Sequence, residues 1–211
     1  MKSYINFFEL MSEYESYKNG QDFILPNVNF ISENNKLYFN PNAKPASPNI
    51  VCIYDVTDVT QETRLCSEYI DSFTTMIVDG EEKEFEQYYQ FESTGLHTVE
   101  FVIDDNTINT WEEYGQKSDY CMFVYCRDLI RIELPVIFCN YQIEGDFFYD
   151  CEKLTEIIFN SKIAPIPYGG NDNMYRIMSG LGNSGVIKYP KGSDYSNLIA
   201  VLPEGWSVEE F

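Results

Sequence analysis

Apolar residues recur at two different spacings along this chain, and the change of spacing marks its parts. Phe7, Leu10, Met11, Tyr14 and Tyr17 fall at helical intervals, with Glu9, Glu13 and Glu15 mostly off that stripe. This predicts an amphipathic helix over residues 3–18. Ser3 suits its N-cap and Asn19-Gly20 its end. Two short apolar runs, Phe23–Ile31 and Lys36–Pro41, flank Glu33-Asn34-Asn35 and predict a small hairpin. Pro41, Pro45 and Pro48 then stiffen an extended linker.

Beyond the linker the spacing drops to two. Strands are predicted at Ile50–Val56, Thr63–Cys66, Phe73–Val78, Glu84–Glu86, Tyr88–Phe91 and Thr98–Ile103. Asp79-Gly80 joins two of them by a dipeptide that favours a type I′ turn. So many short strands over residues 49–104 predict a small Ig-like β-sandwich.

The third part repeats itself. Phe123, Cys126, Leu129, Ile132 and Leu134 return 25 residues later as Phe148, Cys151, Leu154, Ile157 and Phe159. Each unit reads as a turn, F-x-x-C-x-x-L, followed by a short alternating strand. One unit cannot cover its own apolar face, so units stack and equivalent positions form ladders through a shared core. The period lies in the range of about 20–29 residues typical of leucine-rich repeats. Thr107–Tyr120, with Trp111, reads as an atypical lead-in coil. After Ile163 the pattern loosens: Met174–Ile177 stands in for the aromatic turn, Val186–Pro190 is the last predicted strand, Ser193–Leu202 looks helical, and Trp206 with Phe211 seals the open end. The expected fold is therefore mainly β and multidomain. It has a helix and hairpin anchor with a Pro-rich linker (1–48), an Ig-like sandwich (49–104), and a short leucine-rich-repeat solenoid with a C-terminal cap (105–211).

Composition narrows the function. With 44% apolar and 16% aromatic residues the chain builds cores rather than staying disordered. Its formal net charge of −20 argues against nucleic-acid backbones, which need clustered cations, and against anionic membrane surfaces. No apolar run approaches a membrane span. Met1–Glu13 has only a short apolar patch broken by Glu9 and no cleavage site of small residues, so synthesis in the cytosol without a secretory signal is expected.

Candidate chemistry is sparse. The six cysteines lack zinc-site spacings, and Cys126 and Cys151 fit as small apolar ladder residues, so reduced buried thiols and no metal are expected. Acid at positions 55, 58, 104 and 105 forms no calcium loop and reads as solvated loop charge. Gly180-Leu-Gly-Asn-Ser-Gly185 matches a dinucleotide fingerprint by letter, but it precedes a strand instead of following one, and it reads as a flexible connection. His97, the only histidine, reads as a half-exposed strand residue with no nucleophile marked beside it. No active site and no cofactor are expected. Tyrosines exposed on the repeat turns, or on the helix and hairpin, would suit a protein interface or a carbohydrate surface.

The F-x-x-C-x-x-L-x-x-I units resemble BspA-type leucine-rich repeats, common in gut Bacteroidales and their phages. Val186–Ser196 and Leu202–Trp206 resemble the closing segment of those proteins, and Phe73–Gly80 with Tyr89–Val99 resembles the β module that often precedes the repeats. Glu13–Tyr17, Leu25–Val28 and Leu37–Pro41 resemble the N-terminal segment of virion proteins from crAss-like and related Bacteroides phages. The resemblance implies a structural virion protein, capsid-associated as a head fibre or decoration protein. Its anchor would include Phe7, Phe8, Tyr14, Leu25, Pro26, Tyr38 and Pro41. Implied partners are other virion proteins, the major capsid protein among them, a host-surface glycan or protein, and further copies of the chain, with no nucleic acid and no membrane insertion. The alternative is a bacterial surface adhesin-type repeat protein, which requires export, whereas a virion protein leaves by lysis. Few and irregular repeats mean that no ligand specificity carries over.

Overall fold

The computed structural model describes residues 30–33, 36–39, 49–67, 73–103, 122–136, 142–143, 146–167 and 174–211. Two compact units separate, Met1–Ala46 and Ser47–Phe211. In the first, strands β1 (Phe30–Glu33) and β2 (Lys36–Phe39) pair antiparallel, with Glu33 opposite Lys36. The helix predicted over 3–18 lies outside the described residues.

The second unit carries β3 (Ile50–Val56), β4 (Thr63–Arg64), β5 (Thr75–Val78), β6 (Glu81–Glu84), β7 (Tyr88–Tyr89) and β8 (Gly95–Phe101). These are followed by β9 (Leu129–Leu134), β10 (Gln142–Ile143), β11 (Glu156–Phe159), β12 (Ile166–Pro167), helix α1 (Met174–Ile177), β13 (Gly185–Tyr189), helix α2 (Ser196–Ile199) and β14 (Trp206–Glu210). The protein is mainly β. Eight strands form one mixed sheet in the order β14-β13-β11-β9-β3-β8-β5-β6; β4-β7 and β10-β12 form separate pairs.

Where the sequence suggested a boundary near residue 104, the sheet runs on. β3 pairs antiparallel on both its edges, with β8 on one side and β9 on the other. From β9 outward the partners β11, β13 and β14 are parallel. One apolar row crosses seven strands in register: Val78, Val99, Cys52, Ile132, Ile157, Ile187 and Val208. All but Val208, on the outermost strand, are buried. A buried apolar row on one face of adjacent strands fixes their register, since a slip of one residue would turn every side chain in it to the other face. Lys153 adds a polar tie, its Nζ donating to Asp128 Oδ1 (2.7 Å) and to the Asp55 carbonyl (3.3 Å).

The opposite face of the parallel strands is closed by charge. Glu156 accepts from Arg131 (2.7 Å) and Lys188 (2.7 Å), and Arg131 also reaches Glu133 (3.0 Å). Each cation on this face is answered, and the Glu156 carboxyl is held below its ordinary range by Lys188 and Arg131 against the opposing effect of its partial burial.

Several elements differ from expectation. The hairpin strand after Asp79-Gly80 starts at Glu81, not at Glu84. Both turn residues have positive φ (51° and 88°), the mark of a type I′ turn, and such a two-residue loop sets Glu81 directly opposite Val78. The helix expected over Ser193–Leu202 is the single turn Ser196–Ile199. Trp206–Phe211 is not only a seal: Trp206–Glu210 adds a further parallel strand, with Trp206 opposite Gly185. The Trp206 indole fits there because Gly185 has no side chain to meet it.

Candidate functional site

The residues expected to form a ladder share one environment. Phe123, Cys126, Leu129, Ile132, Phe148, Cys151, Leu154 and Ile157 are all fully buried. Phe123 stacks on Phe148 with ring centres 6.3 Å apart, and Ile132 pairs with Ile157 in register. The two turns share the same internal hydrogen bonds: Cys126 N–H to the Phe123 carbonyl and Cys151 N–H to that of Phe148, then Leu129 to Cys126 and Leu154 to Cys151. The residue before each cysteine, Tyr125 and Asp150, sits in the left-handed region (φ 62° and 61°).

A third unit follows at a spacing the sequence pattern did not reveal. Gly180 (φ 75°) precedes Leu181, which bridges to Cys151, and Ile187 pairs with Ile157; both matches lie 30 residues on from their counterparts. The glycine-rich run is thus a packed turn and not a flexible connection. A side chain at Gly180 would meet the Asp150 nitrogen at 2.6 Å, and one at Gly182 would collide with the Glu152 carbonyl.

This stacking pushes off-ladder residues outward. Tyr125 and Tyr149, on successive turns, are about half exposed and meet edge to face, ring centres 5.8 Å apart; the Tyr125 N–H donates to the Tyr149 carbonyl (2.7 Å). Arg64 in β4 faces Tyr88 in β7, and its guanidinium carbon lies 5.6 Å from the Tyr88 ring centre and 5.5 Å from that of Tyr125. Both are cation–π distances. Its Nε donates to the Cys66 carbonyl (3.2 Å). The result is a row, Tyr88–Arg64–Tyr125–Tyr149, of three exposed tyrosines around a half-buried arginine, edged by the Arg127–Asp150 ion pair at 2.6 Å. Among the described residues, Arg127, Arg131 and Arg176 each pair with a carboxylate, and Arg64 pairs with none.

The other candidate groups are structural. His97 is buried, not half exposed, because its ring stacks on Phe91 at 4.3 Å. Its Nδ1 meets Asp79 Oδ2 at 2.6 Å and its Nε2 meets the Ser93 carbonyl at 2.9 Å, while the Ser93 hydroxyl stands 3.5 Å away. A histidine that spends Nε2 on a backbone carbonyl has no lone pair aimed at the serine, so Asp79, His97 and Ser93 do not form a nucleophilic triad. They tie the type I′ turn to the loop before β8, and Asp79 also accepts from the Thr98 N–H (2.9 Å).

Cys52, Cys66, Cys126 and Cys151 are buried free thiols. Burial pushes all four up, Cys66 and Cys151 to about 12. The Cys151 Sγ lies 2.8 Å from the Phe123 carbonyl, and the buried Tyr54 hydroxyl donates to the Leu65 carbonyl at 2.5 Å. Thiols held protonated in this way are weak nucleophiles at neutral pH. Among the described residues no three His, Cys, Asp or Glu side chains are grouped to hold a metal ion, and no helix is long and apolar enough to cross a membrane.

Of the predicted anchor residues, Phe7, Phe8, Tyr14, Leu25, Pro26 and Pro41 lie outside the described residues, and Tyr38 is placed by its backbone in β2, opposite Ile31. Arg64 and Tyr88 were not singled out by the sequence. The signal for Tyr125 and Tyr149 was legible: large aromatic residues inside the repeat, yet off the ladder positions. Compared with protein-family models, curated proteins and solved structures, the chain matches none.

Proposed function

We propose that this chain is a non-catalytic structural and binding protein of a phage particle, capsid-associated as a head fibre or decoration protein. In this reading residues 105–211 are a short BspA-type leucine-rich-repeat solenoid with its cap, and 49–104 an Ig-like segment fused to it. Residues 1–48 serve as the anchor to another virion protein. The observation that carries the reading is the Tyr88–Arg64–Tyr125–Tyr149 row, whose tyrosines are exposed and which is held on stacked turns whose own core is complete without it. Tyrosine and arginine are the side chains that recognition surfaces favour, because they bring large contact area and few rotamers to freeze.

Two further features support it. Met1–Ala46 separates from the rest of the chain, as an anchor distinct from a displayed module would. The net charge of −20 disfavours nucleic acid as the partner and keeps closely spaced copies from associating through their displayed faces. Many copies on one particle would turn weak contacts with a host-surface glycan or protein into firm attachment.

Mass spectrometry of density-purified particles tests the assignment. Recovery in fixed ratio to the major capsid protein is the expected result. A chain lacking residues 1–45 should fold yet be missing from particles; its normal incorporation would remove the anchoring role. Absence of the full chain from particles, with recovery in the bacterial envelope, would replace this reading with that of an adhesin-type surface protein.

A further inference from the structure

Arg64 is the exception among the described arginines. It is half buried, its guanidinium lies against two tyrosine rings, and no described carboxylate answers it in a chain of net charge −20. Contact with aromatic rings suits a guanidinium because its faces are weakly hydrated, and its N–H groups can still donate. Nε is used by the Cys66 carbonyl, which fixes the plane. The terminal nitrogens are the fork that a carboxylate fits in two parallel hydrogen bonds. Next to this fork stand the rings of Tyr125, which Arg64 covers on one face, and Tyr149, set edge to face at 88°. Their negative ring faces attract polarised C–H groups.

We infer that the Tyr88–Arg64–Tyr125–Tyr149 row is a receptor for a saccharide that carries an isolated carboxylate, a uronic or sialic acid residue of a glycan. Arg64 takes the carboxylate, and Tyr125 with Tyr149 takes the sugar ring. The inference rests on the binding role proposed above and names the ligand class of that site. Charge selects the glycan over an acidic protein segment. At physiological salt the screening length is about 8 Å. A single carboxylate in contact with Arg64 therefore feels mainly the guanidinium, with Arg127 nearby. A polyacidic partner would also spread over the acidic remainder of the surface. Asp150, at the edge of the row, is already engaged by Arg127 at 2.6 Å.

The test is saturation-transfer NMR on the full chain with glucuronic acid and N-acetylneuraminic acid, beside their methyl esters, a neutral hexose and a Tyr/Glu-containing peptide. The expected result is saturable binding of an acidic sugar, weakened about 10-fold or more by esterification and equally by Arg64→Gln, as for loss of a charge-assisted pair. Tyr125→Asn, which keeps a residue tolerant of positive φ, should weaken acid and ester alike. Unchanged unfolding midpoints would establish that both variants fold. Equal binding of acid and ester, or no effect of Arg64→Gln, would overturn the carboxylate role and leave a glycan-binding module standing. Binding of the peptide without any sugar, or of no probe at all, would overturn the inference. Recovery of the chain in particles is measured separately, so failure here is distinct from failure of the virion assignment.

Discussion

Leu129 and Leu154 fill equivalent places in consecutive repeats, and neither has any exposed surface. Leu154→Ala should cost about 2–5 kcal/mol, since the surrounding ladder is too rigid to close the cavity. Lys162→Ala, on the surface, should stay within about 0.5 kcal/mol. Urea unfolding of both variants provides the comparison, and similar midpoints would mean the ladder is not the core. The thiols make a second prediction. An unfolded cysteine ionises near its ordinary value of about 9, whereas Cys66 and Cys151 hold their protons to about 12. Above that ordinary value the folded state binds more protons than the unfolded one, so stability is fully present below pH 9 and declines as pH rises toward 12. The slope is about 1.4 kcal/mol per pH unit for each thiol. Thermal midpoints at pH 8 to 10.5 should fall less steeply for Cys66→Ala than for the parent; parallel slopes would show that these thiols ionise in the folded state. At this scale the repeated Phe, Cys, Leu and Ile were legible because identical environments select identical side chains. His97 was not, because its burial comes from Phe91 and its partner Asp79 lies 18 residues away.

Among elements, turns proved most readable where backbone geometry restricts the residue type. Asp79-Gly80 needed only its two letters, since both positions require positive φ. The turn at Gly180 was missed because its third unit lies 30 residues on and replaces cysteine by leucine, so no fixed period finds it. Its glycine can be weighed against another. Gly180 and Gly192 have similar φ (75° and 78°), but only at Gly180 would a methyl group strike the preceding turn, 2.6 Å from the Asp150 nitrogen. Gly192→Ala should therefore cost about 1 kcal/mol of backbone strain, and Gly180→Ala clearly more, of order 2–3 kcal/mol. Equal losses in chemical denaturation would mean the Gly180 turn does not rest on its neighbour. Strand β14 escaped notice for a related reason: Trp206 is its one buried residue, so it shows no alternation to read.

For the whole molecule, the shared sheet predicts cooperativity. A fragment of residues 47–211 should unfold in one transition, seen alike by tyrosine fluorescence and circular dichroism, because Cys52 of β3 lies directly between Val99 and Ile132 in the buried row. Two separated transitions would show that residues 49–104 and the repeats fold independently. The sequence alone determined the β-rich character, the strands' apolar faces, the type I′ turn and the two matching F-x-x-C turns. These depend on side-chain alternation and local backbone preference, which operate within a few residues. Tertiary structure decided which strand edges meet, since any strand with the right alternation can pair with any other until loops and register exclude the alternatives. It therefore decided that β3 joins the two segments in one sheet. It also decided that Arg64, 61 positions before Tyr125 in the chain, comes to stand beside it, with no carboxylate among the described residues to neutralise it.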